Sequence, residues 1–316
     1  MFHSGRDYAE YYSGGLQTTV QDLGRFGHRQ FGIGQCGALD VPALSIANLL
    51  VGNEAGTAAL EITLGQFTAK FTRRSWIALS GADAHAELDG QTLWTGWRYP
   101  VEPGQTLHLG MPRHGMRSYL AISGGIDVPE VLGSRSTDLK AAFGGLSGRP
   151  LADGDSLPLG APLRQPSQSI GVKQLLFHNR VRVLTGPEYQ EFSEVAHDEF
   201  WRSGWQLSSQ SNRMGYRLQG PELVRVSHRE ILSHGVLPGV IQVPHNGKPI
   251  VLMADAQTTG GYPCIASVIA ADLYHLAQIR LGESVHFVHC SLPEARQAWL
   301  TQRRYLEQLA WRLHGD

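Results

Sequence analysis

From Leu16 to about Leu159, apolar residues fall in short runs cut by turn residues rather than in helical stripes. The segments "LEITLGQFTAKF", "SWIALSGADAHAELDGQTLW", "GQTLHLG" and "RSYLAISGG" set apolar and β-branched residues between Gly, Asp and Asn, the grammar of short strands. Asp89-Gly90 in "ELDGQTLW" predicts a two-residue hairpin turn. One helix is expected near residues 40–51, capped by Asp40 with Pro42 in its first turn.

A second strand-rich stretch begins at "VRVLTGP", passes a helical stretch near residues 188–201, and continues through "MGYRLQG", "PELVRV" and "GVIQVPHNGKPIVLMAD". Asn246-Gly247 gives a second hairpin signal. Two helices are expected to close the chain. In "PCIASVIAADLYHLAQIRLG" the residues Ile265, Val268, Ile269, Leu273 and Leu276 share one helical face. "SLPEARQAWLTQRRYLEQLAWRLH" opens with Ser291 and Glu294 in capping-box spacing and has an apolar stripe of Ala295, Trp299, Leu306, Leu309 and Leu313. The pattern predicts a mainly β protein with a few helices. Its expected divisions are a leader without fixed structure (1–13), an N-terminal β unit (14–160), a Pro- and Ser-containing linker (161–174), and a C-terminal β unit with the terminal helices (175–316).

Length and composition narrow the function. The 316 residues leave room for two cores, and a net charge of -1 gives no polyelectrolyte signal for nucleic acid or an anionic membrane. No run approaches the roughly 20 apolar residues of a membrane span, and the N-terminus lacks the pattern of a signal peptide. Cys36, Cys264 and Cys290 have no close spacing, so neither a disulfide framework nor a zinc knuckle is expected and a reducing cytoplasm fits. The 14 histidines are scattered and no metal site is expected.

"FGIGQCGALD" contains the spacing G-x-G-x-x-G at Gly32, Gly34 and Gly37, but the polar "QDLGRFGHRQ" before it is a poor buried strand. It reads as a loop and not as a dinucleotide fingerprint. No G-x-S-x-G, H-E-x-x-H or phosphate loop is present. Three polar clusters remain. "QTTVQDLGRFG" crowds Thr19, Asp22 and Arg25 into a strand and turn, and "SSQSNRMGYRLQG" sets Asn212 and Arg213 before a strand, where Arg213 has the fork to grip a carboxylate. In "PIVLMADAQTTGGYPCIASVIAADL" a strand runs into Asp255, Gln257, Thr258, Thr259, Gly260, Gly261 and Tyr262 ahead of the expected helix, whose N–H groups would offer an anion site.

These clusters, with "CGALD" and "LPGVIQVPHNGKPIVLMADAQTTGGYP", closely resemble the allophanate hydrolase subunit 2 family, also called carboxyltransferase subdomains A and B, over nearly everything from Leu16 to the last helix. The resemblance implies two cyclophilin-like β-barrel subdomains. It also implies partners. In the family's 5-oxoprolinase branch, a companion B subunit of the allophanate hydrolase subunit 1 type and a separate A subunit couple hydrolysis of ATP, with Mg, to the opening of 5-oxoproline (pyroglutamate) into glutamate. In that setting Asp255, Arg213 and Thr259 are the expected catalytic residues. Arg213 would anchor the substrate carboxylate, Gly260 and Gly261 would hold an oxyanion or phosphate, and Asp255 would orient a nucleophile or a metal-bound phosphate. Asn212, Gln257, Thr258, Tyr262, Thr19, Asp22 and Arg25 complete the expected substrate site. Other members imply alternatives, namely biotin-dependent carboxyl transfer of the urea carboxylase type, with biotin on another polypeptide, or a non-enzymatic antagonist that binds a kinase-inhibitor partner.

Overall fold

The computed structural model describes residues 8–227 and 229–314. The chain divides into two compact units. Residues up to Arg25, Cys36–Leu176 and those from Tyr305 onward form the first, and Phe26–Gln35 with Phe177–Arg304 form the second.

The first unit is built on two sheets. One has five strands in the order Gln17–Gln21, Ala59–Thr63, Arg117–Ile122, Ser75–Gly81, Arg98–Val101; the other has six, ordered Ser156–Pro158, Tyr8–Gly14, Phe67–Phe71, Thr106–Leu109, Ala86–Leu88, Gln91–Thr92. Leu60, Ile62, Leu79 and Leu120 from the first sheet and Phe67, Phe71, Leu107 and Leu109 from the second meet in one core. Helix α1, Val41–Leu50, covers the other face of the five-stranded sheet, where Ala59, Ala78, Tyr119 and Ala121 pack on Leu44, Ala47 and Leu50. Strands covered on both faces lose the apolar–polar alternation, and Ala59–Thr63 and Arg117–Ile122 are buried at every position. Two of the polar residues this buries, Glu61 and Tyr119, satisfy each other and nearby backbone. Glu61 accepts from the Leu39 N–H at 2.8 Å and the Tyr119 hydroxyl at 2.6 Å, and Tyr119 in turn accepts from the Asp40 N–H at 2.8 Å. Burial and the neighbouring Glu61 push the Tyr119 phenol upward, so it remains a hydroxyl donor.

The expected details at α1 hold. Asp40 Oδ1 accepts from the Ala43 N–H at 2.9 Å and Pro42 lies in the first turn. Asp89-Gly90 joins Ala86–Leu88 to Gln91–Thr92 with positive φ at both turn residues, 49° and 84°, as a type I′ turn requires. Gly37 closes the glycine triplet at φ 89°, and a Cβ there would lie 2.8 Å from the Gly24 nitrogen, so the third glycine serves close backbone packing.

Two expectations change in this unit. Residues 1–7 of the expected leader lie outside the described residues, but 8–13 belong to the strand Tyr8–Gly14, which pairs with Phe67–Phe71 and Ser156–Pro158. The segment read as a linker lies along the unit. Arg98 donates to the Gln168 carbonyl at 2.9 Å, Gly171 bridges Trp97, and Gln174 accepts from the Ser80 hydroxyl at 2.9 Å.

The second unit is a closed barrel of seven strands in the order Arg180–Thr185, Cys264–Val268, Val240–Gln242, Ile250–Leu252, Gly215–Gln219, Trp205–Leu207, Ser284–His289. A ring with an odd number of strands cannot be antiparallel throughout. The one parallel pair is Arg180–Thr185 with Ser284–His289, where the ring closes. Side chains alternate inward and outward, so Val181, Val183, Tyr216, Leu218, Val285 and Phe287 are buried while their neighbours reach the surface. Helix α2, Glu194–Arg202, starts at Ser193, whose hydroxyl accepts from the Ala196 N–H at 3.1 Å.

The helix expected after Pro263 is not one helix. Cys264–Val268 is a barrel strand between Arg180–Thr185 and Val240–Gln242, followed by a 3-10 turn, Ala270–Asp272, and the short helix α3, Leu273–Gln278. Ile265, Val268 and Ile269 are β-branched and fit the pleated wall better than a helix. Asn246-Gly247 does lie in a hairpin, but in the longer connection between Gln242 and Ile250, where the Gly247 N–H donates to the Pro244 carbonyl at 2.9 Å. Helix α4, Leu292–His314, opens with the expected capping box: the Ser291 N–H and hydroxyl reach Glu294 Oε2 at 2.7 and 2.6 Å. Among the described residues no helix is long and apolar enough to cross a membrane.

His275 in α3 is buried. Its Nδ1 accepts from the His178 N–H at 3.3 Å, its ring stacks on the His178 ring at 3.9 Å, and Asp272 beside it is held by Arg182 at 2.6 Å. Burial lowers its pKa to about 4, with His178 adding to the effect and Asp272 opposing it. The folded chain therefore binds fewer protons than the unfolded chain between pH 4 and 6.5, and stability falls as pH falls through that window. Denaturant titrations across this range should show a loss of up to roughly 3 kcal/mol from this residue, and His275→Gln should flatten that part of the profile.

Candidate functional site

Arg213 and Asp255 are brought together by strand pairing. Strand Gly215–Gln219 lies against Ile250–Leu252 with Gly215 opposite Leu252, and the pairing continues past both ends: the Met253 N–H donates to the Met214 carbonyl at 3.1 Å and the Asp255 N–H to the Arg213 carbonyl at 3.0 Å. The side chains complete the clamp, with Arg213 Nε to Asp255 Oδ2 at 2.9 Å and Nη2 to Oδ1 at 2.8 Å. Arg213 is 3% and Asp255 6% exposed. The edge of the guanidinium that would grip a substrate carboxylate is thus filled by Asp255. The two residues form one buried ion pair. Asn212 belongs to the same turn, its Oδ1 accepting from the Met214 N–H at 2.8 Å.

Beyond Asp255 the chain runs as a loop and not toward a helix start, so the helix-terminal N–H groups expected to bind an anion at Gly260 and Gly261 are not formed. Instead Thr259–Gly260 pairs with His234–Gly235, and the Thr258 carbonyl accepts from the Val236 N–H at 3.0 Å. Gly260 lies against Gln242, where a Cβ would come within 2.6 Å of Nε2. Gln257 and Thr258 are half-buried and Thr259 is exposed.

Gly261 and Tyr262 reach a cavity of about 620 Å³ whose walls include His245, Arg225, Arg229 and Glu222. Its size is that of a small-molecule site. The Tyr262 ring meets His245 edge to face at 6.2 Å. Arg225 and Arg229 both hold Glu191, Arg229 at 2.6 Å, and Arg229 Nη2 is also 3.7 Å from Glu188. Arg225, with Arg229 adding, holds the Glu191 carboxyl below the usual carboxylate range. Glu188 Oε2 accepts from the Cys264 N–H at 3.0 Å. Burial, with Glu188 adding, pushes the Cys264 thiol up to about 11, so it is not a thiolate nucleophile at neutral pH. Among the described residues no group of three or more His, Cys, Asp or Glu could hold a metal ion.

Thr19, Asp22 and Arg25 lie in the first unit. Thr19 Oγ1 accepts from Gln21 Nε2 at 3.0 Å. The Asp22 carboxylate collects four donors, the Gly24 N–H (2.7 Å), the Arg135 N–H (2.6 Å) and the Ser134 and Ser136 hydroxyls (2.6 and 2.5 Å), so it organises the loop 134–136. Arg25 is fully buried. The residues that sequence reading missed are Glu188, Glu191, Arg225, Arg229 and His245. Glu188 and Glu191 fall in the stretch near residues 188–201 read as helical, Arg225 in "PELVRV", read as a strand, Arg229 just beyond it, and His245 beside the Asn246-Gly247 turn.

The class of a chain with one closed barrel and one two-sheet unit is given by the sequence comparisons. The family model "Carboxyltransferase domain, subdomain A and B" matches residues 31–289, and the chain belongs to this family. It is 65% identical over 302 residues to the C subunit of 5-oxoprolinase from Escherichia coli, covering 96% of this chain and 97% of that protein. It is 44% identical over 293 residues to the C subunit of 5-oxoprolinase from Haemophilus influenzae, covering 93% and 94%. Among solved structures, the urea amidolyase of K. lactis superposes with a TM-score of 0.91 at 30% identity, over 98% of this chain and 20% of that one.

Removing one partner of a buried ion pair strands the other, at about 3–5 kcal/mol. Arg213→Ala should therefore lower the unfolding free energy by that amount in urea titrations. Combining Arg213→Met with Asp255→Leu, which removes both charges and keeps apolar volume, should recover much of the loss.

Proposed function

We propose that the chain is the C subunit of an ATP-dependent 5-oxoprolinase complex, which opens 5-oxoproline to glutamate in the cytoplasm together with the B and A subunits. The observation that carries this reading is the 65% identity to the E. coli protein over almost the full length of both chains. The cavity at Tyr262 supports it, because its arginines are already balanced by carboxylates and its wall sets Tyr262 and His245 beside apolar Leu223, Val224, Ile231 and Val243, which suits a small ring with a polar edge.

In this reading the substrate ring lies against Tyr262 and His245. Arg229, whose side chain is 61% exposed, exchanges Glu191 for the substrate carboxylate. Arg225 stays on Glu191 and on the Arg229 carbonyl, at 2.8 Å, so the segment carrying Arg229 keeps its place. Asp255 and Arg213 position the loop through Gln257, Thr258, Thr259, Gly260 and Gly261. The site offers a triphosphate no spare positive charge, since both arginines are paired. ATP and its Mg therefore fit this cavity poorly, and phosphoryl activation of the lactam is assigned to the companion proteins. The likeness to urea amidolyase supports a second reading, carboxyl transfer from biotin borne by another polypeptide, at lower identity.

The test is glutamate formation from 5-oxoproline and ATP by the assembled complex. Glutamate should appear only when this chain is present; an assembled complex that makes none defeats the proposal, and carboxybiotin becomes the next substrate. Tyr262→Ala should raise KM roughly tenfold, the equivalent of about 1.4 kcal/mol of lost contact, with a smaller effect on kcat.

A further inference from the structure

Ring opening has a proton requirement that Arg229 and Tyr262 do not meet. A lactam nitrogen cannot leave as an anion, so a proton must reach it as the C–N bond breaks. Arg225 and Arg229 line the cavity, but a guanidinium keeps its protons at any ordinary pH. The carboxylates of Glu222 and Glu230 lie on the wall too, where like charge opposes their approach to an anionic substrate. Histidine is the side chain whose ordinary pKa, about 6.5, lets it both take and give a proton near neutrality. Among the described residues that line the cavity, His245 is the one histidine.

The backbone fixes where this imidazole stands, and its nitrogens are left open. Residues 244–247 form a tight turn, closed by the Gly247 N–H on the Pro244 carbonyl at 2.9 Å. On one side the Gly247 carbonyl accepts from the Leu223 N–H at 3.0 Å; on the other the Val243 N–H donates to the Pro263 carbonyl at 2.9 Å, next to Tyr262. Gly247 has φ 67°, and a Cβ there would lie 2.3 Å from Glu222 Cγ, so the turn sits tightly on the cavity wall. The His245 ring meets Tyr262 edge to face, and among the described residues neither of its nitrogens has a hydrogen-bond partner in the protein. By contrast, the rings of His197 and His234 are tied to the carbonyls of Tyr189 and Leu232, at 2.7 and 3.1 Å.

We propose that His245 is the general acid–base of the ring opening, an inference that rests on reading this cavity as the 5-oxoproline site. The substrate ring has methylenes on one side and the lactam N–H and carbonyl on the other. Leu223, Val224, Ile231 and Val243 match the methylenes, which turns the amide edge toward His245 and Tyr262 once Arg229 holds the carboxylate. The neutral imidazole takes a proton from the water whose oxygen bonds to the carbonyl carbon, and then returns that proton to the ring nitrogen. The C–N bond breaks with its electron pair staying on nitrogen, which leaves as the amine of glutamate. Water thus delivers its hydroxyl to carbon and its proton to nitrogen. The phosphoryl group that ATP places on the carbonyl oxygen is freed as phosphate by a second water, and both of those steps belong to the companion proteins. The charged groups around the imidazole are Glu222 beside the turn, Glu230 and the Arg225–Arg229–Glu191 cluster on the wall, and Lys248, whose Nζ is held by the Gly220 carbonyl at 2.6 Å.

The test follows glutamate formation against pH in the assembled complex carrying the wild-type chain, His245→Gln or His245→Ala. His245→Gln should lower kcat roughly a hundredfold or more and leave KM within about twofold. It should also remove the fall in rate that the wild type shows as pH drops below about 6.5. Free imidazole should restore part of kcat in His245→Ala, because the replaced ring is exposed on the cavity wall. A His245→Gln complex that matches the wild type, or one with raised KM at unchanged kcat, overturns the proposal and leaves His245 as a binding contact. A lowered kcat with an unaltered pH profile overturns it as well. If His245→Ala disturbs the turn, as urea unfolding would show, the pH profile of His245→Gln decides alone. A wild-type complex that makes no glutamate defeats the reading of the cavity and this proposal with it, whereas normal wild-type turnover with an unaffected variant defeats this proposal alone.

Discussion

The loop that borders the cavity of the second unit depends on one buried ion pair. Arg213 and Asp255 sit at the ends of neighbouring strands, and a backbone hydrogen bond joins them in addition to the two side-chain contacts. The geometry is bidentate and the burial nearly complete, so neither residue can leave without stranding a charge. The pair therefore fixes where the barrel strand Ile250–Leu252 ends and where the loop to Cys264–Val268 begins. Because that loop presents Gly261 and Tyr262 to the cavity, a buried structural pair sets the position of residues that can touch a ligand.

The same economy of charge recurs around the cavity. Glu191 takes both Arg225 and Arg229, while Glu188 is shared between Arg229 and the backbone of Cys264. Such a network is polar without being strongly charged, and one member, Arg229, is exposed enough to change partners. An arginine that trades one carboxylate for another leaves the network one negative charge richer, and the exposure of Arg229 lets water screen that charge. Cys264, buried next to a carboxylate, is kept as a thiol by the same surroundings and packs as a small apolar residue.

Sequence pattern showed the β character, the Asp40 cap, the Asp89-Gly90 turn and the capping box of α4, because each rests on residues a few positions apart. It failed where local signals were ambiguous. Ile265, Val268, Ile269, Leu273 and Leu276 satisfy helical spacing, yet the first two lie in a strand and the last two in α3, and only the pairing with Arg180–Thr185 and Val240–Gln242 decides between them. Of the candidate site, Gly261 and Tyr262 came out of the sequence, while Glu188, Glu191, Arg225, Arg229 and His245 did not, and neither did the pairing of Arg213 with Asp255. Arg213 meets Asp255 across 42 positions and Arg225 meets Glu191 across 34, and no periodicity encodes such distances.

The motif "QDLGR" shows how far sequence proximity can mislead. Asp22 and Arg25 stand three residues apart with opposite charges, the spacing of a local ion pair, yet the structure separates their duties. The carboxylate is used up by two hydroxyls and two backbone N–H groups, which hold the loop 134–136 in place. That same loop supplies the Ser136 carbonyl to Arg25. Asp22 thus builds the wall on which Arg25 rests while giving it no countercharge. Had the two simply paired, both would be satisfied and the loop would lose its anchor. The guanidinium is left with the Ser136 carbonyl and the face of the Phe143 ring, so the energetic cost of burying it is set against the anchoring of the loop that forms its wall.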